Sequence, residues 1–196
     1  MIAINGAGAG LPSANVSVTP VVSALTLQQV FSRKTHGSPT PYDIVIDPMG
    51  GMTGFVTVEP RAIGAGHSIV FQFNATITNP GGVGVVDANA NDIGLASSTA
   101  SGTSVVVTLT GVPDNKRVMV SLFGVNGNAS ASRAIGFLVG DVSGSRTVNA
   151  VDISAVKARA NPVVGAGNFQ HDINANGAIN QVDVSTVKAR SGLVLR

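Results

Sequence analysis

Over residues 15–139, apolar and polar side chains alternate in short runs broken by Gly, Pro, Asn and Ser. The clearest run places Ile69, Phe71, Phe73 and Ile77 on one face and Gln72, Asn74 and Thr76 on the other, the period of a half-buried strand. Tyr42, Ile44 and Ile46 alternate with Asp43 and Asp47 in the same way. Val105, Val107 and Leu109 face away from Thr108 and Thr110, and Val118, Val120 and Leu122 face away from Met119 and Ser121. Further candidate strands are 16–22, 25–31, 55–58, 83–86, 93–95 and 135–139. Strands about ten residues apart, with no helical pattern between them, predict an antiparallel β-sandwich of immunoglobulin-like type over 15–139. The Gly- and Ala-rich stretch at 1–14 reads as a flexible lead-in.

The pattern changes at Gly140. Two near-copies follow, 31 residues apart: DISAVKAR from Asp152 aligns with DVSTVKAR from Asp183, Asp141 with Asp172, and Asn149 with Asn180. A repeat of this kind marks two copies of one supersecondary unit packed together, so 140–196 is expected to form a small domain of its own.

The copies carry a metal-ligand register. A twelve-residue calcium loop sets oxygen donors at positions 1, 3, 5, 7, 9 and 12, the seventh through its carbonyl, and favours Gly at position 6 where the chain turns sharply. The second copy supplies Asp172, Asn174, Asn176, Ala178, Asn180 and Asp183, with Gly177 at the turn. The first supplies Asp141, Ser143, Ser145, Thr147, Asn149 and Asp152, but Arg146 stands where Gly is expected. A non-Gly residue of positive φ is strained by about 1 kcal/mol. Two calcium ions are therefore expected, with the second loop the more complete. The four acidic residues of the tail, Asp141, Asp152, Asp172 and Asp183, all fall at position 1 or 12. Asx turns and helix caps would explain one Asp per copy, but not the whole register twice.

The segments GDVSGSRTVNAVDI at 140–153 and FQHDINANGAINQVDV at 169–184 resemble the two halves of a type I dockerin. The resemblance implies one helix after each loop, no helix leading into it, and a pseudo-twofold axis between the halves. It also implies noncovalent docking onto a cohesin domain through residues just before the last ligand and along the following helix. Here those positions are Ala150, Val151, Lys157 and Ala158 in the first copy and Gln181, Val182, Lys188 and Ala189 in the second. They differ from the Ser–Thr pair of many dockerins. The partner so implied is a cohesin-like or other β-sandwich domain, another copy of this chain included. The chain from about Phe31, with SRKTHG at 32–37 and LTGV at 109–112, also resembles the C-terminal ends of large secreted bacterial proteins, which places it outside the cell or on its surface.

Composition narrows the function. The net charge is +2 with scattered basic residues, which argues against nucleic-acid binding, and no apolar run approaches the ~20 residues of a membrane span. Without cysteine there is no disulfide and no thiolate metal site. The lone Glu59, the dispersed His36, His67 and His171, and the lack of a Gly-x-Ser-x-Gly elbow argue against an enzyme. With no Trp and a single Tyr42, expected in the core, a carbohydrate-binding module is the least favoured reading. A noncatalytic attachment module leads, and a structural subunit of an extracellular fibre or surface layer, assembling through the tail or the strand at 16–22, is the alternative. Calcium is expected to stabilise the tail, because Ile153, Val156, Phe169, Val184 and Val187 are nearly all the core it has.

Overall fold

The computed structural model describes residues 24–37, 40–160 and 162–196. The lead-in at 1–14 and the candidate strand at 16–22 lie outside them. Among the described residues nine strands come first along the chain: β1 (Leu27–Thr35), β2 (Pro41–Val45), β3 (Val58–Glu59), β4 (His67–Phe73), β5 (Gly82–Val86), β6 (Leu95–Ser101), β7 (Ser104–Thr110), β8 (Lys116–Val125) and β9 (Ala129–Phe137). Helices α1 (Ala150–Ala158) and α2 (Gln181–Ala189) follow, with a single 3₁₀ turn at Phe169–His171 between them.

The strands form two sheets, ordered β2-β1-β4-β7-β6 and β3-β9-β8-β5. Their inward rows meet in one core, with Ile69, Phe71, Val105, Val107 and Leu109 from the first sheet against Val118, Val120, Leu122 and Ile135 from the second. The alternation seen in the sequence is thus the alternation of a sandwich. One pairing departs from the antiparallel expectation. The short β3 runs parallel to β9, with Val58 opposite Gly136.

Several strand bounds shift. The run expected at 93–95 becomes β6, which starts at Leu95 and continues through Ala, Ser and Thr to Ser101. That segment has no apolar period. It is held as an edge strand by the two-residue turn at Gly102 and Thr103, where Gly102 takes φ +59° and Ser101 pairs Ser104. Of the run at 55–58 only Val58 is in a strand, and Phe55 is exposed.

The tail does not bury its apolar residues by itself. Val148, Val156, Ile173, Ile179, Val184, Val187 and Leu195 join Val56, Val58, Ala134, Leu138 and Val139 in a second core, so five of its twelve residues come from β3, β9 and the segments beside them. Of the five residues expected to form nearly all of the tail's core, Val156, Val184 and Val187 lie here, with Val148, Ile173, Ile179 and Leu195 in addition. Phe169 instead stacks on Tyr42, ring centroids 5.1 Å apart, and Ile153 is only partly buried. Backbone bonds stitch the seam: Ala62 N–H donates to the Ile173 carbonyl at 2.7 Å, Gly140 N–H to Pro60 at 2.8 Å, and Arg117 N–H to Arg196 at 3.0 Å. Arg190, at the end of α2, pairs with Asp114 at 3.0 Å.

Leu138 is fully buried in this shared core. Leu138→Ala should cost about 2–5 kcal/mol, and urea unfolding followed by amide exchange should show strands β3 and β9 and helix α2 losing protection together.

Candidate functional site

The two loops begin where β9 ends and where the 3₁₀ turn ends. Both finish as the first turn of a helix. Asn149 and Asn180 are the N-caps: each side-chain oxygen accepts the amide of the residue two further on, Val151 or Val182, at 2.7 Å. Asp152 and Asp183 complete the capping boxes by accepting the Asn149 and Asn180 amides at 2.9 Å. Position 9 thus starts the helix, and position 12 points its carboxylate back into the loop.

The remaining bonds repeat from copy to copy. Asp141 Oδ1 accepts from the amide of Ser145 and Oδ2 from that of Arg146; Asp172 Oδ1 accepts from Asn176 and Oδ2 from Gly177. Asp152 Oδ1 accepts the Ser143 amide, and Asp183 Oδ1 those of Ile173 and Asn174. All four carboxylates are buried. The Thr147 carbonyl accepts from Ser145 Oγ at 2.9 Å, and the Ala178 carbonyl from Asn180 Nδ2 at 3.4 Å. Ser143 and Ser145 aim their hydroxyls at Asp141 Oδ1 at 3.1 and 3.4 Å. In the second loop Asn174 and Asn176 form consecutive Asx turns, accepting the amides two residues on.

Each loop turns through two left-handed residues, at positions 4 and 6. In the first they are Gly144 at φ +70° and Arg146 at φ +68°; in the second, Ala175 at φ +56° and Gly177 at φ +91°. The glycine has changed places, so each copy holds one strained non-Gly residue. Arg146 has a local reason to stay: its Nη1 donates to the Gly54 carbonyl at 2.7 Å.

The donor set fits a hard cation. Each loop carries two buried carboxylates and one backbone carbonyl, joined by the Ser143 and Ser145 hydroxyls and the Asn149 amide in the first and by three Asn amides in the second, the all-oxygen chemistry that suits calcium. Among the described residues no Lys or Arg side chain pairs with any of the four aspartates. Burial raises the Asp141 carboxyl above its ordinary range, and the charge of Asp152 adds to this against the amide of Arg146. A bound divalent ion would relieve both effects.

The second loop has an unexpected neighbour. His36, at the end of β1, is buried with its Nδ1 2.9 Å from Asp172 Oδ2. Its Nε2 lies 3.1 Å from Arg61 Nη1. Arg61 is itself fully buried and uses all five guanidinium hydrogens. Nε and Nη2 hold Glu59 at 2.7 and 2.6 Å, Nη2 also reaches the Ser32 carbonyl, and Nη1 reaches the Tyr42 carbonyl and His36. A guanidinium can only donate, so His36 Nε2 accepts and Nδ1–H donates to Asp172. Ser32 Oγ closes the chain by donating to Glu59 Oε2. Beside it the backbones touch: a Cβ on Gly37 would stand 2.2 Å from the Asn176 carbonyl oxygen, and one on Gly177 would stand 2.9 Å from that of His36.

None of His36, Glu59 and Arg61 emerges from the sequence as a site residue. The SRKTHG stretch does, but only as a family likeness. Tyr42, expected in the sandwich core, sits at the seam, its hydroxyl donating to the Val164 carbonyl at 3.3 Å. The eight residues assigned to partner contact, Ala150, Val151, Lys157 and Ala158 with Gln181, Val182, Lys188 and Ala189, are all exposed. Val151 and Val182 are unusually bare for valines, at 63% and 56%.

With this geometry in place the comparisons are informative. The model of the Dockerin type I domain matches residues 139–190. Modules of that family bind calcium and attach proteins to one another. No curated protein matches the chain.

Two predictions test the seam. Gly37→Ala must push its methyl into Asn176 at a residue of φ +61°, and should cost about 2–4 kcal/mol in denaturant unfolding. Gly54→Ala, at a similar φ of +71° but in open space, should cost about 1 kcal/mol. Acid should also weaken the fold in two stages. Burial, helped by Lys34 and Arg61 and opposed by Glu59, lowers His67 from 6.5 to about 4. Burial would raise Glu59, but the charge and hydrogen bonds of Arg61 outweigh it and hold the carboxyl at about 2. Both folded values lie below the unfolded ones, so the unfolded chain takes up the protons first and stability falls as pH drops. The His67 part is complete above pH 6.5 and lost towards 4, on the order of 3 kcal/mol; the Glu59 part is lost between 4.5 and 2. Urea unfolding of His67→Phe should lack the first stage.

Proposed function

We propose that this chain is a noncatalytic attachment module, secreted or displayed on a cell surface, whose calcium-loaded tail docks a β-sandwich onto a partner domain. The observation that carries the reading is the doubled loop: four buried aspartates, two per copy, with no Lys or Arg partner among the described residues, each pair leading into an exposed helix. In this reading Asp141, Ser143, Ser145, Thr147, Asn149 and Asp152 hold one calcium ion. Asp172, Asn174, Asn176, Ala178, Asn180 and Asp183 hold the other. The sandwich is immunoglobulin-like on the strength of its two-sheet architecture.

The partner is a cohesin-like or other β-sandwich domain. It would rest on the solvent-facing sides of α1 and α2, where Val151 and Val182 offer apolar contacts and Lys157 and Lys188 a positive rim. The two sets are equivalent under the repeat, since all eight positions are separated from their counterparts by 31 residues.

Calorimetry should count two calcium ions, with Asp141→Ala removing one and Asp183→Ala the other. Calcium at 100 times its Kd should add about 2.7 kcal/mol per site, and a chelator should lower the melting temperature. Val151→Asp with Val182→Asp should leave both the calcium count and the melting temperature unchanged, and should abolish calcium-dependent capture of the partner from the source organism's secreted proteins. Light scattering with calcium should report a monomer. Open-ended assembly would instead make the chain a repeating subunit of a fibre or surface layer.

A further inference from the structure

The aspartates of the two loops take matching bonds from the amides at positions 3, 5, 6 and 9, but among the described residues only the second loop receives a side chain from the sandwich. Asp172 Oδ2 is held from two sides, by the Gly177 amide at 2.8 Å and by His36 Nδ1 at 2.9 Å. Asp141 Oδ2 receives the Arg146 amide, and its other bonds all come from within its own loop. The imidazole cannot turn away, because Nε2 accepts from a guanidinium whose every hydrogen is engaged and which is clamped by Glu59. The ring is also wedged edge-on against Tyr42 and Phe169, at 5.6 and 5.9 Å.

We propose that the sandwich is a working part of the second calcium site: His36 is a positioning residue that fixes the Asp172 carboxylate for the ion, so calcium affinity at that loop depends on strand β1. The inference rests on the calcium reading of the loops given above. Its physical basis is general. A liganding carboxylate must present a free lone pair in the right direction, and a donor on its other oxygen secures that orientation before the ion arrives. Pre-orientation removes an ordering cost from binding. By linkage, whatever His36 adds to calcium affinity calcium returns as stability of the Ser32–Glu59–Arg61 network. The first loop, which has no such donor among the described residues, serves as the internal control.

The test uses the full chain with Asp141→Ala and Asp152→Ala, leaving the second loop as the only site. Calcium titration with a competing chelator then compares His36 with His36→Phe, which keeps the ring volume without a donor, and His36→Asn, whose amide nitrogen can stand near Nδ1. We expect the Phe variant to bind about 10–100-fold more weakly and the Asn variant to recover most of the loss. In the otherwise unaltered chain, nitrogen-resolved spectra of His36 should show Nδ1 protonated and Nε2 bare, with the Nδ1–H resonance shifting as the second loop fills. This readout needs no variant to fold. A folded Phe variant with unchanged affinity, or a His36 signal indifferent to calcium, overturns the inference while leaving the calcium sites intact. No calcium binding by the single-loop parent overturns the second site and the inference together.

Discussion

Arg61 is the group around which the structure is arranged. A fully buried guanidinium is tolerable only if its charge is countered and each of its hydrogens has an acceptor. Here Glu59 supplies the charge, and the Ser32 and Tyr42 carbonyls and His36 take what remains. Those acceptors sit on β1, β2 and β3, so one side chain ties the outer strand pair to the short parallel strand that begins the second sheet. The same arrangement sets the tautomer of His36 and, through it, the donor that Asp172 receives. Loss of one partner from such a pair typically costs about 3–5 kcal/mol, since it strands a charge in the interior. The network therefore fixes geometry more than it adds to stability.

What the sequence displayed, and what it hid, divides along the range of the interactions. The repeated loop and helix are legible because their pattern is local: Asp172 to Asp183 spans twelve residues, and the repeat shows it twice. The strands with strict alternation, such as β4 and β7, were legible for the same reason. Strand β6 was not, because LASSTAS has no apolar period and owes its conformation to the Gly102 turn and to pairing with β7. Glu59 and His36 were hidden in another way. Glu59 reaches Arg61 two residues on, a short step, yet nothing in the sequence says that both are buried. His36 meets Asp172 across 136 residues. Single charged or titratable residues carry no period, so their surroundings exist only in the folded chain.

The exchange of glycine between positions 4 and 6 shows how a duplicated unit can diverge without losing its shape. A loop with two left-handed positions needs glycine at neither one absolutely, since each substitution costs only about 1 kcal/mol. In the first copy the side chain at position 6 recovers part of that cost by bonding Gly54. In the second, position 6 must stay bare, because the backbone of His36 and Gly37 lies against it. The sandwich has thus shaped the two halves differently. Their asymmetry reflects what each half touches.

The junction at Gly140 carries a different kind of consequence. Many modular proteins hang their binding domains on a tether, and the cargo then sweeps through a range of angles. Here Gly140 bonds Pro60 and lies against Val187, and Leu138 and Val139 enter the shared core only three and two residues before the first loop opens at Asp141. There is no slack between cargo and plug. A partner seated on α1 and α2 would hold the sandwich at one distance and one bearing, so neighbouring copies along a scaffold would be spaced and aimed by the protein itself, as bricks are set by their faces.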